Sequence, residues 1–254
     1  MIIRLYEDQI PYNNADPAGK PQVSAFLLES KETLPAVIVL PGGGYSQHAE
    51  HEAEPIAEFY NSCGYHAFVL RYRLLPNLYP AALCDVQRLI KYLRANAKTL
   101  CIDPDKIFVI GFSAGGHLAG MSAVGQDVCC LGDALDGENH RPNGVLLGYP
   151  VVNIGHDCVK RLAGNDEAMF DKLAVEKLVT AETPPMFIWH TSEDAVVDVR
   201  QSLALAQALR EHKIHFELHI FPKGYHGLGL AQRFEDVRTW TQHSIQWLGG
   251  QCNV

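Results

Sequence analysis

The sequence predicts an α/β fold in which helices cover both faces of a mostly parallel, doubly wound sheet. Three observations predict it. Two short runs, Ala36–Leu40 and Ile107–Ile110, are apolar at every position, as strands buried on both faces are. Strand-like runs alternate with longer amphipathic stretches along the chain. One of the apolar runs leads through a glycine-flanked serine straight into a helix-like segment.

Taken in order, strands are expected at Ile2–Tyr6, Val23–Leu28, Ala36–Leu40, His66–Arg71, Ile107–Gly111, Gly144–Gly148, Met186–His190 and Phe216–Phe221. Between them, Ala81–Ala97 carries Leu83, Val86, Ile90 and Leu93 at spacings that make one apolar helical stripe. Val199–Glu211 places Leu203, Ala206 and Leu209 on one face, and Arg233–Leu248 reads as a last helix. Asp103-Pro104-Asp105 marks a turn before the Ile107 strand. The stretch at about 153–184 breaks the rhythm and is expected to form a small cap over the sheet edge, within a single domain spanning 1–254.

A chain of 254 residues can bury a large core as one domain. Its formal net charge of −8 disfavours nucleic acid and anionic membranes as partners. The N-terminus shows no basic region followed by an apolar one, and no apolar run is long enough to span a bilayer. With seven scattered cysteines and no CxxC pair, reduced thiols and a cytoplasmic enzyme are the expectation.

The chemistry centres on Gly111-Phe112-Ser113-Ala114-Gly115-Gly116, between the Ile107 strand and the segment His117–Met121. A serine on a tight strand-to-helix turn is strained, and side chains two residues to either side would collide; Gly111 and Gly115 remove them. The turn lifts the hydroxyl clear of the sheet as a nucleophile and aims the Ala114 amide at a developing oxyanion. A phosphate loop would need a GK[ST] ending, which is absent. Upstream, the Ala36 strand ends in Pro41-Gly42-Gly43-Gly44-Tyr45, where backbone amides can approach a substrate carbonyl; Gly43 and Gly44 are the expected donors alongside Ala114.

Where such an elbow serves hydrolysis, an acid and then a histidine follow the serine along the chain. His219 falls inside a strand, and His212 and His215 flank a helix end. His226, in Pro222-Lys223-Gly224-Tyr225-His226-Gly227 between the last strand and the last helix, is therefore the expected base. The loop after Met186–His190 offers Glu193, Asp194 and Asp198. Asp198 precedes a helix and suits a cap, so Asp194 is the expected orienting acid. No HExxH spacing or other metal signature is present, so neither metal nor organic cofactor is expected; His51 with Glu52 and Glu54 reads as a solvated helix face.

These segments, together with Tyr149-Pro150, Thr183-Pro184-Pro185, Trp189-His190-Thr191 and Gly224-Tyr225-His226-Gly227, resemble the α/β-hydrolase family of bacterial acetyl esterases, which includes acetylxylan-esterase-like and feruloyl-esterase-like enzymes and is related to hormone-sensitive-lipase-type esterases. The resemblance runs in order through nearly the whole chain. It implies an α/β-hydrolase fold and hydrolysis of short-acyl carboxylic esters, often O-acetyl groups on sugars. It also implies Ser113, Asp194 and His226 as triad, with Ala114 and the Gly42–Gly44 loop as oxyanion hole. Pro41 stands where the hormone-sensitive-lipase-type enzymes carry a histidine, and Asp198 replaces a proline common in that loop.

The expected function is a two-step acyl transfer through an acyl-enzyme. The expected partner is a small ester such as an acetylated oligosaccharide, with Tyr45, Tyr149 and Tyr225 available to stack on a sugar ring. Two other readings share the elbow: a serine peptidase related to prolyl oligopeptidases, and a non-catalytic binding protein.

Overall fold

The runs that read as strands pair into one eight-stranded sheet. They are β1 (Ile2–Ile3), β2 (Gln22–Phe26), β3 (Leu34–Leu40), β4 (His66–Arg71), β5 (Ile102–Phe112), β6 (Gly144–Gly148), β7 (Met186–Thr191) and β8 (Phe216–Phe221). The computed structural model describes residues 2–7, 10–13, 16, 19–153 and 155–252; Ile154, inside the expected cap, lies outside the described residues. The strand order is β1-β2-β4-β3-β5-β6-β7-β8. β1 and β2 join antiparallel, and every pairing from β4 to β8 is parallel.

The helices are α1 (Glu54–Ser62), α2 (Ala81–Ala95), α3 (Ala97–Leu100), α4 (Ala114–Val124), α5 (Asp157–Leu162), α6 (Arg200–Glu211), α7 (Glu235–Arg238) and α8 (Trp240–Cys252). Because side chains alternate along a strand, β3 feeds two cores. Ala36, Ile38 and Leu40 meet the stripe of α2 with Leu118 of α4, while Val37 and Val39 meet Ile56 and Tyr60 of α1 and Trp240 and Trp247 of α8. Among the described residues no helix is long and apolar enough to cross a membrane.

Several boundaries differ from the sequence expectation for physical reasons. β1 ends at Ile3 because Tyr6 turns inward and donates its hydroxyl to Asp85 at 2.8 Å. The Asp103-Pro104-Asp105 turn lies inside β5 as an irregularity: the register jumps from Leu34↔Ile102 to Ala36↔Ile107. The final helix is two helices separated at Thr239.

The order places the site. The chain leaves β3 for β4 on one side and returns to β5 on the other, so the carboxyl ends of β3 and β5 are neighbours that diverge. That is the switch-point crevice where open α/β sheets bind ligands. Leu40 pairs with Gly111, and the loops that follow are the Pro41–Tyr45 glycine loop and the Ser113 elbow.

The region 153–184 contains α5 and three single 3-10 turns, Glu167–Met169, Asp171–Leu173 and Val175–Lys177. Cys158, Val159, Leu162, Leu173 and Val175 from this stretch belong to the same core as α2 and α4. A Cβ on Gly120 would stand 3.0 Å from Val175, so that glycine lets the segment lie directly on α4.

Beyond β4, Arg73 is buried against Asp85 of α2, with guanidinium nitrogens 2.8 and 3.0 Å from the carboxylate and the Arg73 amide donating to it at 2.9 Å. Removing one member strands a buried charge. Asp85→Ala is expected to lower the unfolding free energy by about 3–5 kcal/mol, read as a fall in the urea midpoint.

Candidate functional site

Ser113 sits at φ 53°, ψ −117°, a backbone conformation sparsely populated by L-residues and costing of order 1–3 kcal/mol. Its surroundings determine it. The Ser113 amide donates to the Gly148 carbonyl at 3.0 Å, and its own carbonyl accepts from His117 and Val151 at 3.0 and 3.1 Å. The flanking glycines answer to separate obstacles. A Cβ at Gly111 would lie 2.0 Å from the Gly115 carbonyl oxygen, and one at Gly115 would lie 2.2 Å from that of Leu40.

The structure brings Ser113, His226 and Asp194 into one hydrogen-bonded chain. Oγ of Ser113 is 2.8 Å from Nε2 of His226, and Nδ1 of His226 is 2.7 Å from Oδ2 of Asp194. With the carboxylate at Nδ1, the consistent tautomer carries its proton there and leaves Nε2 to accept from the serine. Asp194 Oδ1 accepts from the amides of Val196 and Val197, both at 2.9 Å. Burial opposes the charge on Asp194, but hydrogen bonds from His190 and His226 and the Val197 amide outweigh it and hold the carboxyl below the usual carboxylate range. Asp198 accepts from the Arg200 amide at 2.8 Å at the start of α6, and Glu193 is exposed.

His226 reaches Ser113 from the far edge of the sheet, so its loop must be tethered. The Thr191 hydroxyl donates to the Gly224 carbonyl at 2.9 Å, and that of Ser192 to Pro222 at 2.8 Å. The acid and base loops are thereby fastened to each other as well as through Asp194.

In the glycine loop, Gly43 has φ +121° and Gly44 φ +65°, and a Cβ on Gly43 would meet the Gln47 carbonyl oxygen at 2.2 Å. The Gly42 amide donates to Oε2 of Glu52 at 2.8 Å, and the Tyr72 hydroxyl donates to the Pro41 carbonyl at 2.7 Å. Among the described residues, the amides of Gly43, Gly44 and Ala114 have no acceptor.

Glu52 corrects the sequence expectation. It is 2% exposed, not part of a solvated face, while Glu54 pairs with Arg71 at 2.7 Å. Its Oε1 accepts from the Tyr149 hydroxyl at 2.6 Å, and that hydroxyl accepts from the Gly229 amide at 2.9 Å. The Tyr149 ring stands edge-on to His226, with centroids 5.0 Å apart. One buried carboxylate and one phenol thus connect the glycine loop to the histidine loop. Burial, with Glu52 beside it, pushes the Tyr149 phenol well above its ordinary range.

The same contacts settle two of the tyrosines. Tyr45 and Tyr149 are 0% and 1% exposed, so neither can stack on a sugar; both pack inside the protein. Tyr225 is 57% exposed and edge-on to Phe234, beside a groove of about 280 Å³ lined also by His51, Gly227, Leu230 and Arg233. Ser113, Asp194 and His226 do not line that groove.

Sequence reasoning missed two histidines besides Glu52. His190 is fully buried, with Nε2 2.9 Å from the Val197 carbonyl and 3.4 Å from Asp194, and Nδ1 2.8 Å from the Ser202 hydroxyl. It holds the turn that presents Asp194. His117 joins the Tyr45 hydroxyl through Nδ1 and the Leu173 carbonyl through Nε2, each at 2.8 Å, tying the glycine loop to the 153–184 segment. Its place two residues after Gly115 in the elbow was the available signal.

Glycine-flanked serine at the switch point, buried carboxylate and tethered histidine are the layout of an α/β hydrolase. A BD-FAE family model matches residues 27–145, and one described as the prolyl oligopeptidase family matches residues 159–253. The acetyl ester-xyloside bifunctional hydrolase from Caldicellulosiruptor lactoaceticus superposes with a TM-score of 0.93 at 41% identity, covering 98% of this chain and 96% of that one. The carboxylesterase Cest-2923 from Lactobacillus plantarum superposes at 0.81 with 28% identity, covering 92% and 94%. The chain is 40% identical to endo-1,4-beta-xylanase B from Butyrivibrio fibrisolvens and 28% identical to an acetylxylan esterase from Xylanibacter ruminicola, over 92% of its own length in each case. It spans 37% and 49% of those two relatives. The chain belongs to the α/β-hydrolase esterases.

Burial pushes the His117 imidazole down to about 4. Because the fold favours the neutral ring, this contribution is complete above the unfolded value near 6.5 and is lost as pH falls toward 4, a change of about 3 kcal/mol. His117→Gln should therefore show a pH dependence of unfolding free energy shallower than wild type by about 2–3 kcal/mol between pH 7 and pH 4.5, measured by urea titration.

Proposed function

We propose that the protein is a serine esterase that removes short acyl groups, O-acetyl in particular, from carbohydrate esters. The observation that carries this is the unbroken hydrogen-bonded chain from Asp194 through His226 to Ser113 at the switch-point crevice. The acetyl and carbohydrate assignment is supported by the relatives, which include an acetylxylan esterase and an acetyl ester-xyloside hydrolase.

In this reading His226 takes the Ser113 proton as Oγ attacks the ester carbonyl. The amides of Gly43, Gly44 and Ala114 receive the oxyanion. His226, now an imidazolium stabilised by Asp194, protonates the departing alcohol, and water repeats the sequence on the acyl-enzyme. Since the alcohol leaves from the His226 side, the groove beside Tyr225 is assigned to the sugar. The segment 153–184 serves as a fixed cover on the acyl side, with Arg161 donating to the Gly44 carbonyl at 3.4 Å.

Glu52 is a positioning residue here. By accepting from the Gly42 amide it holds the donor loop. Glu52→Gln retains the size but cannot accept from both the Gly42 amide and the Tyr149 hydroxyl in the same way. It is expected to lower kcat by about 10- to 100-fold with little change in KM.

The deciding experiment is a panel of p-nitrophenyl esters from acetate to octanoate, with acetylated xylo-oligosaccharides, on wild type and Ser113→Ala. Acetate should be the best simple ester, and Ser113→Ala should lose about 10⁴-fold or more in kcat. Esterase activity retained in Ser113→Ala would overturn the mechanism, and an octanoate optimum would overturn the short-acyl assignment. The prolyl oligopeptidase match over 159–253 favours a second reading, peptidase action, which cleavage of aminoacyl-arylamides without ester hydrolysis would establish.

A further inference from the structure

The edge strand β8 carries a cluster that the esterase mechanism does not use. Glu217 and His219 are two residues apart in β8 and so project from the same face of the sheet. α8 lays His243 over that face. The His219 and His243 rings stack with centroids 4.4 Å apart and 24° between planes, and Oε1 of Glu217 lies 2.5 Å from Nε2 of His219. One donor atom from each of the three residues lies within 4.8 Å of the others. Phe187 and Phe221 form the floor on either side of His219, at 5.3 and 6.3 Å. All three residues are partly exposed, which leaves an entry path from solvent.

We propose that Glu217, His219 and His243 form a binding site for one first-row transition-metal dication of the zinc type. Two imidazoles and one carboxylate are a donor set that such ions prefer over calcium or magnesium, which select oxygen ligands. Among the described residues the ring nitrogens of His243 have no hydrogen-bond partner, so they are free to ligate. Bonds of about 2.0–2.2 Å place the donors of a tetrahedral site roughly 3.4 Å apart. Stacked rings direct their nitrogen lone pairs alongside one another, so ligation requires the His243 ring to turn out of the stack until its lone pair converges with that of His219, a rotation its partly exposed side chain allows, while Glu217 retreats slightly. The ion takes the position now bridged by the Glu217–His219 hydrogen bond, and that ring proton moves to Nδ1. Three protein ligands leave a fourth position to water. With one ligand pair on the edge strand and the other ligand on the last helix, the ion fastens α8 to the face of β8.

The test uses the full chain after chelator treatment and alkylation of its thiols, since Cys63 and Cys130 are exposed and would bind zinc independently. Calorimetric titration with ZnCl₂ should show one ion per chain, and saturating zinc should raise Tm by roughly 5 °C or more. Co²⁺ should give ligand-field absorption. His243→Ala and Glu217→Gln should each weaken zinc binding by about 100-fold and abolish the Tm rise, with hydrolysis of p-nitrophenyl acetate unchanged. If either variant fails to fold, His219→Gln is read in the same assay. The proposal is overturned if wild type binds no zinc at micromolar concentration, or if the variants keep the wild-type Tm rise.

Discussion

The elbow packs so tightly on itself and on the end of β3 that neither Gly111, facing the Gly115 carbonyl, nor Gly115, facing that of Leu40, has room for one more carbon. That contact is between backbone and backbone, so no side-chain rearrangement relieves it. The rest of the site is arranged around it. It forces the turn at Ser113 into its positive φ and starts α4 immediately afterwards. It also holds the glycine loop within reach of the serine. Sheet order then does the remaining work, since loops from β6, β7 and β8 can approach the elbow from one side only.

The glycine loop, by contrast, is flexible by composition and is stiffened from below. Glu52 accepts the Gly42 amide, Tyr72 holds Pro41, and His117 holds Tyr45. Each partner is buried, so each hydrogen bond is costly to leave unmade. Preorganisation of amide donors needs a framework of this kind, because a loop that has to order itself around the substrate spends binding energy doing so.

How much of this could be read from sequence follows the range of the interactions. The sheet was legible because burial on both faces leaves uninterrupted apolar runs. The elbow was legible because its steric demands fall within five consecutive residues. Asp194 and His226 could be picked out by chain order, and they converge on Ser113 in space. Glu52 was hidden: its neighbours His51 and Glu54 are polar and partly solvated, while its partners lie ten and 97 residues away. Tyr45 and Tyr149 follow motif residues whether they face inward or outward, so only packing shows that they are buried. The break at Thr239 was invisible because polar and apolar residues continue with helical spacing across it.

Serine and glycine loop form one stiff unit, and the acid and histidine loops, bound through Thr191–Gly224 and Ser192–Pro222, form another. Tyr149 bridges them, its hydroxyl shared between Glu52 on one side and Gly229 on the other. Such a molecule behaves as two castings joined by a dowel. Each casting tolerates drift in its outer surface while its internal fit is preserved, and above the sheet the joint is held by the Tyr149 phenol together with the contact of His51 with the Gly227 carbonyl. The outer surface on the Tyr225 side or on the 153–184 side can therefore change without disturbing the alignment of the Ser113 hydroxyl.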